Sequence, residues 1–136
     1  MPEVSPLRLN LLRAYYLLIL VERGVRVLPA LAGGGLGPFD GTAYAFWGAL
    51  ALLAALGLRH PLAMLPLLLI HLAYKSLWLA AVALPLWTAG VAFDPLMTAF
   101  AWAMAVGVAF DLLLIPWPYA LARFVRDPAE PWRRSR

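Results

Sequence analysis

Long apolar runs separated by short polar stops dominate the chain, and the stops are rich in proline, glycine and charge. Proline brackets three of the runs, Pro6 to Pro29, Pro61 to Pro85 and Pro95 to Pro116. Each interval is long enough to cross a ~30 Å hydrocarbon core at about 1.5 Å of rise per residue. A further run from Thr42 to Leu58 carries no charge. The pattern predicts four spans, at residues 7–28, 42–58, 62–84 and 95–115, in a single domain covering 1–136. The fold class expected is an all-α membrane protein, a four-helix transmembrane bundle in up-down-up-down order. No stretch shows the two-residue alternation of a membrane β-barrel. The connections GGGLGPFDG, GLRHP and WTAGVAFDP are turn chemistry. Pro66, inside the third run, is expected to kink it. After Pro116 the chain mixes apolar residues with Arg123 and Arg126 at near-helical spacing, which predicts a short interfacial helix and then a basic end, over 116–136, able to meet anionic lipid.

Composition narrows the class. With 64% hydrophobic and only 13% charged residues, the chain lies far from a soluble domain. The absence of cysteine excludes a disulfide framework and a thiolate metal site. A net charge of +4 could point to nucleic acid, but the basic residues cluster at span flanks, where topology explains them, so no nucleic-acid partner is expected. Arg8, Arg13, Arg59, Arg123, Arg126, Arg133, Arg134 and Arg136 all fall on one predicted side, which makes that side and both termini cytoplasmic. Arg23 and Arg26 run against this rule. The first run carries Arg13, Glu22, Arg23 and Arg26, so it reads as a retained helix rather than a cleaved leader. Trp47, Trp87, Trp117, Tyr119 and Trp132 lie near span ends, as interfacial anchors do.

Charge within the runs supplies the candidate chemistry. The only lysine, Lys75, sits one helical turn after His71 in an apolar segment. An isolated ion in hydrocarbon costs about 2.5 to 3.5 kcal/mol on insertion scales, so it needs a partner or a purpose. Counted from the bracketing prolines, Glu22 and Lys75 lie roughly 24 Å and 21 Å from the inner face, while Arg13 and Asp111 lie roughly 10 Å and 8 Å from it. The depths predict two ion pairs, Glu22 with Lys75 and Arg13 with Asp111, with His71 between the layers. Glu22, His71, Lys75, Arg13 and Asp111, joined by Tyr74 and Trp78, are the candidate ligand-binding or proton-exchanging residues.

Ala99, Ala103, Gly107 and Asp111 recur every four residues, a smooth stripe for close approach by the first helix or by another protomer. Catalytic residues are not expected, because none of the three serines has a nucleophile-elbow context. Neither is a metal site, because His60 and His71 lack zinc-protease spacing. No cofactor is predicted. Haem would need a second axial ligand from a dimer, and quinone would have to be met by His71, Tyr74 and Trp78.

The segments RHPLAMLPLLLIHLAYKSLWLAAVALPLW and IPWPYALARFVRDPAEPWR resemble a family of small bacterial membrane proteins with four predicted spans. Their third helix reads PLxMLPLLLxELxWKxxWLxxVALP, so Pro61, Met64, Pro66, Lys75, Trp78 and Pro85 match, while His71 stands at an acidic position. The resemblance implies topology only, not an activity, and the location expected for the chain is a bacterial inner membrane. A looser likeness to the DoxX-like membrane proteins, some of which accompany quinone-linked redox enzymes, rests on span count and size. The leading expectation is a non-enzymatic membrane bundle whose buried polar layer binds a small ligand, lipid or proton. The alternatives are a redox-associated subunit meeting quinone or haem, and a proton-coupled transporter or channel that would have to oligomerise. A homo-oligomer or larger membrane complex is compatible with all three.

Overall fold

The computed structural model describes residues 1–129, in which all regular secondary structure is helical. Four long helices follow one another: α1 (Pro6–Gly33), α2 (Pro38–Arg59), α3 (Leu65–Thr88) and α4 (Pro95–Leu114). A short α5 (Trp117–Leu121) follows, extended by one π-helical turn, Ala122–Arg126. Helix starts follow local chemistry. Ser5 accepts from the Arg8 amide at 3.3 Å to cap α1, and Asp94 accepts from the Met97 amide at 2.7 Å to cap α4. Pro6, Pro38 and Pro95 each occupy a first turn, where the missing N–H would have had no partner. At the far end of α3, Gly90 takes φ 74°, and the Gly90 and Val91 amides bond back to Trp87 and Leu86, a Schellman closure.

Contacts across the bundle establish antiparallel neighbours. Tyr16 of α1 meets Gly57 near the end of α2, whereas Leu31 meets Gly48 nearer its start. His71 of α3 meets Asp111 of α4, and Trp78 meets Phe100. α1 packs along α2 and α3 along α4, so the molecule consists of two hairpins, with α1 and α4 scarcely touching. The core gathers Leu12, Tyr16, Leu65, Leu68 and Ile115, all without solvent exposure. Tyr16 is its pivot: its ring fills the place a Gly57 side chain would take, and its hydroxyl donates to the Pro61 carbonyl at 3.0 Å. Outward faces are apolar too, with Leu17, Leu18, Leu77, Leu96, Leu113 and others exposed.

Three helices, α2, α3 and α4, are long and apolar enough to cross a membrane, and only 17–28% of their apolar windows is buried inside the protein. α1 is long enough but carries Arg8, Arg13, Glu22, Arg23 and Arg26.

Several boundaries differ from those the prolines predict. α1 runs through Pro29 to Gly33, and its end is set by the positive-φ pair Gly34 and Gly35. α2 begins at Pro38 rather than Thr42. Pro66 makes no kink, because a turn over 61–64 delays α3 until Leu65 and leaves Pro66 in the first turn. α3 does not stop at Pro85. Its turn over Leu79–Ala83 widens to π geometry, with the Leu84 amide donating to the Leu79 carbonyl five residues back. That widening accommodates a ring that lacks an N–H and would otherwise crowd the carbonyl four residues earlier. The expected short C-terminal helix is present as α5, and the Trp117 indole donates to the Leu112 carbonyl at 2.8 Å. Trp132 and the basic residues Arg133, Arg134 and Arg136 lie outside the described residues.

Candidate functional site

Asp111 is the most constrained polar group. It has no solvent exposure, and both its carboxylate oxygens are engaged. The Tyr15 hydroxyl donates to Oδ1 at 2.9 Å, and His71 Nδ1 faces Oδ2 at 2.7 Å. A carboxylate can only accept, so Nδ1 carries the hydrogen and Nε2 is the ring nitrogen turned away from Asp111. The Tyr15 hydroxyl also lies 3.4 Å from the Gly107 carbonyl, and its ring stands edge-on to His71 at 6.1 Å between centroids. One residue from each of α1, α3 and α4 is thus tied into a single buried triad, and that triad joins the two hairpins.

One turn further along α3, Lys75 is 5% exposed and points into the bundle. Its ammonium occupies the space beside Gly107 that a Cβ there would fill, with Cδ and Cε also within 2.9 Å of that place. Glycine in α4 therefore makes room for the lysine. Among the described residues no carboxylate pairs with Lys75. A buried ammonium without a counterion is costly, which is why such groups mark sites.

Arg23 completes the cationic wall. Its side chain is 13% exposed, its guanidinium donates to the Tyr74 hydroxyl at 2.6 Å, and its Nε lies 3.4 Å from Glu22. The guanidinium also lies 5.2 Å from the Trp47 ring centroid and 5.9 Å from that of Tyr74, within cation–π range. Tyr74 is itself steadied edge-on against Phe46.

These groups surround a cavity of about 360 Å³, within the size range of small-ligand pockets. Tyr15 and His71 line it at one end, Lys75 and Gly107 lie along its wall, and Arg23, Arg26 and Glu22 line it towards the other end, with Trp47 and Phe100 supplying aromatic surface. The α1 residues lining it fall in two adjacent rows, Tyr15, Ile19, Arg23 and Val27 beside Leu18, Glu22 and Arg26, a three- and four-residue spacing that keeps one face of the helix on the cavity.

Both expected ion pairs are corrected. Glu22 lines the same cavity as Lys75, but its partners are Arg23 at 3.4 Å and Arg26 at 3.5 Å on its own helix, and its side chain is 44% exposed. Arg13 does not reach Asp111. It donates to the Leu58 carbonyl at 3.2 Å and to Asn10 at 3.0 Å, steadying the end of α2. The reason is rotation: Arg13 stands two residues from Tyr15, about 200° round the helix, so Tyr15 takes the place beside the carboxylate. Tyr74 acts behind the wall by holding Arg23, and Trp78 packs on Phe100 at 4.8 Å. The stripe on α4 meets both α3 and the first helix: Gly107 receives Lys75 and Asp111 receives His71, the Tyr15 hydroxyl of α1 reaches the Asp111 carboxylate and the Gly107 carbonyl, and Ala103 lines the cavity. Tyr15, Arg23, Trp47 and Gly107 were not among the sequence candidates. The available signal was helical phase, since Tyr15 and Arg23 share a face eight residues apart, and a buried phenol needs a partner.

Among the described residues no cluster of three metal-ligating side chains occurs. The chain matches no protein-family model, no curated protein and no solved structure.

Proposed function

We propose that this protein is a four-span membrane bundle that binds a small molecule in the cavity between its two hairpins. In this reading α1 crosses the bilayer beside the three apolar helices. Its inward face carries Tyr15 and Arg23, its outward face exposes Leu11, Leu17, Val21 and Val25, Arg8 and Arg13 lie in its first half, and Glu22 in its middle is paired with Arg23 and Arg26. The arginine distribution then sets both termini in the cytoplasm of a bacterial cell. The observation that carries the binding function is Lys75, a buried ammonium on a cavity wall beside a glycine, with both oxygens of the nearby Asp111 already taken by Tyr15 and His71.

The test is native mass spectrometry of protein released from mild detergent. A retained small molecule is expected on the wild type and absent from Lys75→Met. A wild type that flies without any adduct would remove the binding function. A second reading is favoured by His71, whose Nε2 lone pair is left over on the cavity side: the hydroxyl of a reduced quinone could donate a hydrogen bond to it. Identification of the adduct as a quinone would select that reading.

A further inference from the structure

We infer that the cavity takes an anionic amphiphile, a long-chain carboxylate or alkyl phosphate, with its head at Lys75 and Arg23 and its tail leaving sideways between α1 and α4. The inference rests on the cavity being a binding site and specifies what it binds.

Charge selects the head. Three cationic side chains, Arg23, Arg26 and Lys75, line the cavity against the single carboxylate of Glu22. Glu22 is already shared between the two arginines, and Asp111 is engaged by Tyr15 and His71. The cation without a carboxylate partner is therefore the buried one, Lys75, and a single ligand anion balances it. Hydrogen bonds between an ammonium or guanidinium and an anionic oxygen are the stronger kind, and both donors are presented on rigid helices.

Packing selects the tail. α1 and α4 are adjacent but meet at few points, and exposed apolar residues of both helices line the cavity. Leu18 on α1, with Val106 and Phe110 on α4, line this side and are 52%, 47% and 43% exposed. An apolar-sided gap beside a cationic interior suits a molecule with an anion at one end and hydrocarbon at the other. A free inorganic anion would leave the rim unexplained, and a neutral lipid would leave Lys75 without a counterion.

Trp47 lines the cavity and reports occupancy. In nanodiscs, dibromostearate is expected to quench a saturable part of the tryptophan fluorescence that disappears in Trp47→Phe. Its methyl ester is expected to bind at least about tenfold more weakly, the scale of one lost charge-assisted hydrogen bond. Lys75→Met should weaken the acid by a similar factor while leaving the ester unchanged, and Arg23→Gln gives an independent check if Lys75→Met folds poorly. Octadecyl phosphate should displace the acid. Equal binding of acid and ester, or displacement by inorganic phosphate at the same concentration, would overturn the anionic amphiphile while leaving a binding cavity. Absence of saturable quenching, together with no adduct in the mass spectrum, would instead remove the binding function itself.

Discussion

Tyr15 and Tyr16 are adjacent on α1, both buried, and both donate a hydroxyl across to another element, yet about 100° of helical rotation separates their roles. Tyr16 turns into a closed apolar core, where its ring fits against Gly57 and its hydroxyl meets a backbone carbonyl of Pro61. Tyr15 turns into a polar triad at one end of a cavity, where its partner is the carboxylate of Asp111. In the first region every group is satisfied by the protein and nothing is left to bind. In the second both oxygens of Asp111 are engaged, but the lysine one turn beyond it is not matched by any carboxylate among the described residues. The comparison separates what holds the hairpins together from what the cavity offers to a ligand.

The largest effect is expected at the triad. Asp111→Leu leaves the Tyr15 hydroxyl and His71 Nδ1 without their shared acceptor, and each buried donor left unsatisfied costs about 1 to 3 kcal/mol. Thermal unfolding in detergent should show a large fall. Replacing His71 by Phe together with Asp111→Leu should recover much of it, because no imidazole is then left unpaired. If the single substitution barely moves the midpoint, Tyr15 is not a structural counterpart of Tyr16, and the triad does not join the hairpins.

Gly57→Ala should come next. The added methyl would meet the Tyr16 ring itself, a rigid group that cannot turn aside without leaving the core, and overpacking of this kind costs about 1 to 3 kcal/mol. The same melting experiment should show a clear but smaller fall than Asp111→Leu, with affinity for dibromostearate unchanged. A loss of affinity as large as that of Lys75→Met would mean that the closed core and the cavity are one unit rather than two.

The sequence made one coordinate of this site readable and hid the other. Rise per residue places Glu22 and Lys75 at one level, and both do line one cavity. It says nothing of azimuth, so it could not show that Glu22 would turn along its own helix to Arg23 and Arg26, or that Tyr15 rather than Arg13 would face Asp111. Arg23 runs against the topology rule because Tyr74, Trp47 and Glu22 hold it inside, and those contacts too depend on azimuth. Proline misled for a related reason. A ring without an N–H weakens one helical turn, but Pro29 lies inside α1, and beside Pro85 the π-type turn absorbs the misfit, so helix ends fall at Gly34 and Gly90 instead. Helix number and order depended on hydropathy and loop chemistry, which are local; the partners of each charge depended on packing, which is not.

Gly107→Ala should have the smallest effect on stability and the most informative one. Its methyl would take the space held by the end of Lys75, a flexible chain that can swing out of the way, unlike the ring of Tyr16. A melting shift of less than about 1 kcal/mol is therefore expected, smaller than for Gly57→Ala. The swing removes the ammonium from its place on the wall, so affinity for dibromostearate should fall about as far as in Lys75→Met, while the methyl ester binds as before. Two glycine-to-alanine changes would then part company: one lowers stability and spares binding, the other spares stability and lowers binding. Should Gly107→Ala melt as early as Gly57→Ala with affinity intact, Lys75 would be a packing residue like Tyr16, and the distinction between the two regions would collapse.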